Sequence, residues 1–405
     1  MGLHRRSDVG RRRELKFCST ERVRVAWVRD AENGVWGFLC GSSSPVKRWT
    51  EKYCLTALFV MCLVSFLKFK LRRKRTIDRV AASEHGNHHY GHDGFKSSAR
   101  RYTWDHMQKH TMNFSSVLGY GGFSTVYLAR FPGSTMGAVK IHSQSDRLNQ
   151  AFKQELDILL HLQHDNIVQL LGYCDDPDEG FLVLEYAPNG NLQEKLQGVG
   201  ESMGRKGQML PWKRRMAIAF QLAEAIEYLH EKCQLQIVHG DIKSSNVLLD
   251  EQLNCKLCDF GSAKMGFSST VLPPSSHGTK RMMIGSPGYT DPHYFRTGLA
   301  SKKNDVYSYG VIVLELITGM EAFSAHSGER LTRTLDPMLR DSEKVVEMVD
   351  PHLGGDFDLE EAKVITSLSA MCLCDSPSLR PSASDILRTM RNGIPSISFL
   401  FRGKA

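Results

Sequence analysis

The sequence predicts an α+β chain of two lobes, a small and mainly β lobe with one helix followed by a larger, mainly α lobe, preceded by a basic N-terminal region with a short apolar segment. Three observations predict it. Short runs of strand-forming residues crowd the stretch from Tyr102 to Tyr186, with a single helical period among them. Ala187-Pro188-Asn189-Gly190-Asn191 then breaks the chain, and beyond it apolar residues recur at helical spacing. Finally, 405 residues exceed what one small core can organise, so two lobes and extensions are needed.

Composition is ordinary for a globular protein, with 41% hydrophobic and 24% charged residues. The formal net charge of +8 hints at nucleic acid, but its distribution points elsewhere. Residues 1–101 hold 22 lysines and arginines against 9 acids, a net +13, while the rest holds 30 against 35, a net −5. The body is therefore mildly acidic, and the expected partner of the basic end is an anionic membrane surface, with no nucleic acid. Of the ten cysteines, Cys174, Cys233, Cys255, Cys258, Cys372 and Cys374 lie scattered in apolar runs, as reduced thiols do. Cys255 and Cys258 have zinc-like spacing, but no second pair matches and the segment alternates like a strand.

Residues 1–52 are rich in arginine and poor in periodicity, and are expected to be disordered. The run Tyr53 to Leu67 is continuously apolar and stops at a basic cluster from Lys68 to Arg75, a stop-transfer pattern. A span needs about 20 residues, which this run reaches if Lys68 and Lys70 snorkel. Residues 53–71 are thus a candidate transmembrane segment, with a membrane-interface helix as the alternative. The basic cluster favours a cytosolic body at the plasma membrane. The 52 residues before the run leave almost no ectodomain, so an upstream receptor or co-receptor is an expected partner. Residues 72–101, with His85, His88, His89 and His92 among Gly and Ser, read as a juxtamembrane linker.

The small lobe occupies residues 102–186. Val117-Leu118-Gly119-Tyr120-Gly121-Gly122-Phe123-Ser124-Thr125-Val126-Tyr127 is a glycine-rich turn between two strand-like runs. Glycines let the backbone approach phosphate closely, and a flanking valine packs on a planar base. A plain hairpin would look similar, but Gly137-Ala138-Val139-Lys140-Ile141 puts a lysine in an apolar strand where its ammonium would lie beneath the turn. A buried ammonium must be paired. Ala151 to Leu160 is helical, with Phe152, Leu156 and Leu159 on one face; Glu155 beside that face is the best partner and Asp157 the alternative. Strands are expected over 167–173 and 181–186.

The larger lobe occupies residues 187–393, with 394–405 as a tail. Met216 to His230 reads as a long helix with Ile218, Leu222, Ile226 and Leu229 on one stripe. It leads into Val238-His239-Gly240-Asp241-Ile242-Lys243-Ser244-Ser245-Asn246, followed by Cys258-Asp259-Phe260-Gly261. An acid, a lysine, an amide and a second acid between apolar runs can hold metal-bound phosphate and a hydroxyl nucleophile together. Phosphoryl oxygens gather charge in transfer, so cations must surround them. Lys303-Asn304-Asp305-Val306-Tyr307-Ser308-Tyr309-Gly310 opens a helix that is apolar nearly all round from Val311 to Leu316, hence buried.

In this order the motifs resemble those of the protein kinase fold, and most of all the plant receptor-like serine/threonine kinases of the non-arginine catalytic-loop type. The likeness covers residues 102–393 and rests on GYGGFSTV, AVK, the helix glutamate, HGDIKSSN, DFG and GSPGYTDPHY. It implies transfer of the γ-phosphoryl of Mg-ATP to Ser/Thr hydroxyls of proteins. By resemblance, Asp241 accepts or orients the hydroxyl proton, Lys243 steadies the phosphoryl group, and Asn246 and Asp259 hold Mg2+. ATP would meet Leu118, Gly119, Tyr120, Gly121, Gly122, Val126, Ala138, Lys140, Glu155, Glu185 and Ala187, with backbone groups of 185–187 at adenine and Leu184 as gatekeeper. Asp305 looks like the acid that props the catalytic loop, and Arg380 matches the late arginine of the fold.

Three departures follow from the resemblance. Gly240 stands where many kinases carry an arginine that pairs with a phosphorylated loop, so that switch is expected to be missing. His293 replaces the glutamate that pairs with the residue matched by Arg380, so that pair is expected to be weakened or lost. Ser124 replaces a third glycine, a mild change. No phosphate- or metal-binding group is removed, which favours an active enzyme over the alternative, a nucleotide-binding pseudokinase scaffold. Between Phe260 and His293, the hydroxyls of Ser268, Ser269, Thr270, Ser275, Ser276 and Thr279 are candidate autophosphorylation sites, and Ser286 is assigned to the substrate side.

Overall fold

The computed structural model describes residues 99–122, 124–142, 146–176, 180–198, 209–266 and 285–401, with three further strands nearer the N-terminus. The chain divides into two units, one ending at Asp93 and one starting at Gly94.

In the first unit, strands β1 (Leu15–Thr20), β2 (Val23–Arg29) and β3 (Trp36–Leu39) pair antiparallel in the order β1-β2-β3. This order departs from the disorder expected over 1–52. Valine, phenylalanine and tryptophan have high strand propensity, and two antiparallel strands need only a short turn to meet. The candidate membrane segment 53–71 and the histidines of the linker lie outside the described residues. Among the described residues, no helix is long and apolar enough to cross a membrane.

The second unit opens with a six-stranded sheet. It is built from β4 (Arg100–Arg101), β5 (Val117–Tyr120), β6 (Ser124–Arg130), β7 (Met136–His142), β8 (Leu170–Cys174) and β9 (Phe181–Glu185), in the order β4-β8-β9-β7-β6-β5. Only the pairing of β4 with β8 is parallel. Register fixes the site side of the sheet, since Val126 lies opposite Lys140 and Ala138 opposite Leu184. The sheet carries two helices rather than one. Helix α1 (Trp104–His110), capped by Thr103, buries Met107 against a cluster with Ala129, Val139, Cys174 and Phe181. Its sequence, WDHMQKH, hides it, because one buried side chain leaves no stripe to read. Helix α2 (Asp146–Leu160) buries Phe152, Leu156, Ile158 and Leu159 as its amphipathic period requires.

Helix α3 (Leu192–Gln197) follows the break, capped by the Asn191 side chain. Helix α4 (Trp212–Glu227) ends in a wider π turn over Tyr228–Lys232. It is buried on nearly every side instead of along one stripe, with each residue from Arg215 to Ala223 inside. Two antiparallel pairs carry the chemistry-bearing loops: β10 (Gln236–Val238) pairs β13 (Lys264–Gly266), and β11 (Val247–Leu249) pairs β12 (Cys255–Leu257). Helices α5 (Pro292–Thr297), α6 (Lys302–Thr318), α7 (Leu331–Leu339), α8 (Val345–Met348), α9 (Leu359–Cys372) and α10 (Ala383–Gly393) complete the lobe. Helix α6 runs through the core, with Val311 to Leu316 buried. The lobe does not end at Gly393: a 3-10 turn over Pro395–Phe401 buries Ile397, and Phe401 meets Phe220 edge-on at 5.3 Å.

Candidate active site

The glycine turn between β5 and β6 leaves Tyr120 81% exposed at its tip. At Gly121 the backbone N–H donates to Ser124 O, and a Cβ there would sit 2.6 Å from Ser124 Oγ, so a side chain at that position would push the Ser124 hydroxyl aside. Phe123 lies outside the described residues.

Beneath the turn, Lys140 on β7 is buried, and its Nζ donates to Glu155 at 2.7 and 2.9 Å and to Asp259 Oδ1 at 2.7 Å. The partner is Glu155 and not Asp157. Burial by itself would lower the Lys140 pKa, but the charges of Glu155 and Asp259 outweigh it and hold the ammonium above its ordinary range. Burial would raise both acids, and Lys140 reverses that, lowering Glu155 and bringing Asp259 down to about 2. Glu155 is 1% exposed with both oxygens engaged by Lys140, so it has no open face toward the site.

Asp259 adopts φ +66, a left-handed conformation costly for a non-glycine residue, which turns its side chain back toward Lys140. The hairpin β11–β12 brings Asn246 beside it, and the Cys258 N–H donates to Asn246 O at 3.0 Å. The Asn246 amide nitrogen donates to Asp241 O at 2.9 Å, which leaves its carbonyl oxygen for another group. Asp241, Lys243 and Ser286 form a closed set. Lys243 Nζ lies 2.8 Å from Asp241 Oδ2 and 3.0 Å from Ser286 Oγ, and Ser286 Oγ donates to Asp241 Oδ1 at 2.8 Å.

The loop from His239 to Asn246 is held from below by Asp305, near the start of α6. Its buried carboxylate accepts the N–H groups of His239 and Gly240, each at 2.8 Å, and lies 2.8 Å from His230 Nε2. Burial would raise the Asp305 pKa, but these donors reverse the shift and keep it low. Gly240 has φ +77, and a Cβ there would sit 3.2 Å from Ser262 O, so an arginine in its place would be strained. His239 Nδ1 accepts the Asp241 N–H, which puts the proton on Nε2, 3.0 Å from Cys258 O. The His239 ring therefore links the two acid-bearing loops.

Arg380 corrects one expectation. The cation is fully buried and paired, but with Asp291 instead of residue 293: two nitrogens donate to its two oxygens at 2.6 and 2.9 Å. Asp291, two residues earlier and on the other side of Pro292, replaces the missing glutamate, and reading position by position overlooked it. Tyr289 was also missed. Its hydroxyl lies 2.8 and 2.9 Å from the Glu315 oxygens and 2.7 Å from Ser244 Oγ, tying the Ser286 segment to α6 and to the loop from His239 to Asn246. A lone acid inside the apolar run of α6 was the signal for it.

At the lobe boundary, the Glu185 N–H donates to Gln169 O and its carboxylate pairs with Lys256 at 3.0 Å. Leu184 beside it is buried. The candidate loop hydroxyls from Ser268 to Thr279 lie outside the described residues.

Comparison with known proteins agrees with this arrangement. Residues 112–390 match the protein kinase domain model. The chain is 54% identical over 315 residues to a probable receptor-like protein kinase of Arabidopsis thaliana, covering 75% of this chain and 90% of that one. It is likewise 54% identical over 297 residues to salt tolerance receptor-like cytoplasmic kinase 1 of Oryza sativa subsp. japonica, 73% of this chain and 81% of the other. Calcium/calmodulin-regulated receptor-like kinase 2 of Arabidopsis thaliana is 36% identical over 291 residues, 72% of this chain and 63% of the other.

Proposed function

Because the chain belongs to the protein kinase family, as a serine/threonine kinase of the plant receptor-like type, we propose that its site residues divide phosphoryl transfer among them as follows. Asp241 takes the proton of a substrate Ser or Thr hydroxyl as its oxygen bonds to the γ-phosphorus of ATP and the bond to the ADP oxygen breaks. Lys243, 2.8 Å from that acid, balances charge gathering on the transferred group. Lys140, positioned by Glu155, binds the remaining phosphates, and the turn at Gly119, Gly121 and Gly122 covers them. Leu118, Val126 and Ala138 enclose the base, and Glu185 and Ala187 offer it backbone groups.

A divalent cation fits beside them. Asp259 supplies a carboxylate held ionised down to about pH 2, and Asn246 supplies the carbonyl oxygen its own hydrogen bond leaves over. These are hard oxygen donors of the kind Mg2+ prefers, and when bound the ion would neutralise charge on the phosphate oxygens. What supports the reading most is one observation: Lys140 joins Glu155 to Asp259 while Asp241, Lys243 and Ser286 close on one another across the adjoining loop. Asp259→Asn is expected to abolish radiolabel transfer from ATP to a generic protein substrate, by about a thousandfold or more, with the fold intact by circular dichroism. Equal activity in that variant would overturn the assignment, and ATP binding by the unmodified chain without turnover would favour a scaffold.

We further propose that the kinase body lies in the cytosol, fastened to the membrane by residues 53–71 and the basic cluster from Lys68 to Arg75, and receives its signal from an upstream receptor or co-receptor. The apolar run and its flank support this. The full chain should stay in the membrane pellet after alkaline extraction; release into the supernatant argues for an interfacial attachment instead.

A further inference from the structure

We infer that His142 is a positioning residue that fastens α2 to β7 through Glu155, an inference that rests on the roles of Lys140 and Glu155 proposed above. His142 lies two residues beyond Lys140 on β7, so both side chains leave the same face of the sheet. Its Nε2 is 3.1 Å from Glu155 Oε2, the oxygen that also accepts from Lys140 at 2.9 Å. Its ring meets Phe152, three residues before Glu155 on α2, edge-on at 5.5 Å. The helix is thus held at two adjoining points, one polar and one aromatic. His142 Nδ1 is buried and has no partner among the described residues. A proton on Nε2 fits this setting, because it is donated to the carboxylate.

The contact has a use because Lys140 serves two acids at once, each 2.7 Å from its ammonium. Nucleotide phosphates draw on the same ammonium. Glu155 is then left with a smaller share of its pairing charge, and at 1% exposure water cannot make up the difference. His142 supplies a donor for which the nucleotide does not compete, and so keeps α2 in place through turnover.

The test uses the full chain with two variants. His142→Gln keeps a donor near the position of Nε2, and His142→Leu keeps apolar bulk against Phe152 and removes the donor. The expected result is a fall of about tenfold in kcat for His142→Leu, recovery to within about twofold in His142→Gln, and similar Tm in both. Amide exchange over residues 151–160 without nucleotide, in a Lys140→Met background, gives a readout that does not depend on ATP binding at Lys140. There, adding His142→Leu is expected to reduce protection by about tenfold, and adding His142→Gln to preserve it. Unchanged exchange on adding His142→Leu overturns the inference, as does a His142→Gln enzyme as impaired as His142→Leu. Failure of Asp259→Asn to silence the enzyme, with the exchange result intact, would instead count against the proposed catalytic roles.

Discussion

Residues 291 and 293 flank Pro292, and the fold uses the first of them to neutralise a cation that sequence reading expects to lose its partner at the second. Arg380 and Asp291 are both fully buried and joined by two hydrogen bonds, so neither can fall back on water if the other is lost. Removing one partner of such a pair costs about 3–5 kcal/mol. Asp291→Ala is therefore expected to lower stability in denaturant titration by that amount. His293→Ala, at a half-buried position outside the pair, should shift it by less than about 0.5 kcal/mol. Equal losses in the two variants would put the pairing at residue 293 after all. Types such as Lys140, Asp241 and Asp259 were legible in the sequence because their chemistry admits few substitutes at those spacings. The Arg380 partner was not, since sequence spacing does not say which of two polar neighbours faces a cation 89 residues away. Gly240 lies between these cases: its residue type was readable, but the reason for it, a left-handed turn against Ser262, needed coordinates.

At the scale of the element, α6 was legible as a buried helix, and the same burial creates its one costly member. Glu315 accepts from Tyr289 and Ser244 and weakly from the Ala322 N–H, yet burial outweighs these donors and pushes its pKa up to about 7. Below pH 4.5 the group is protonated in both the folded and the unfolded chain and makes no difference to stability. Between pH 4.5 and about 7 the unfolded chain ionises first, so folding loses stability as pH rises; above that range the penalty is constant. Glu315→Gln should remove this slope. Its Tm relative to the unmodified chain is expected to rise from pH 5 to pH 8, by an amount worth at most about 3 kcal/mol. A constant difference across that range would show that Glu315 is ionised throughout. Helix α1 marks the limit of reading elements from pattern, because seven residues with one buried side chain have no period, whereas α2 has four buried apolar residues and was found from its stripe.

At the scale of the whole molecule, the lobe is closed by residues that sequence reading left as a tail. Ile394, which caps α10, and Ile397, on the 3-10 turn that follows, are each 1% exposed. Glu361 on α9 receives the Ser396 N–H at 2.6 Å and the Trp212 indole at 2.8 Å, so one carboxylate secures both the tail and the start of α4. The Phe399 ring lies 4.7 Å from Lys213 Nζ, and Phe401 packs on Phe220. A short apolar stretch at the end of a chain has too few residues to declare a period, and its burial depends on α4 and α9, which the sequence does not bring together. Ending the chain at Gly393 removes two fully buried isoleucines, each worth about 1.5–3 kcal/mol, and uncovers Phe220 as well. The expected loss is about 3–6 kcal/mol in denaturant titration, with Tm lowered in step. Because the tail's contacts run to α4 and α9, the kcat of the protein that remains folded should stay within about twofold of the full chain at low temperature. Loss of stability without loss of kcat would assign the tail to the core. A collapse of kcat at unchanged stability would mean that α4 transmits the position of the tail to the catalytic loop that follows it.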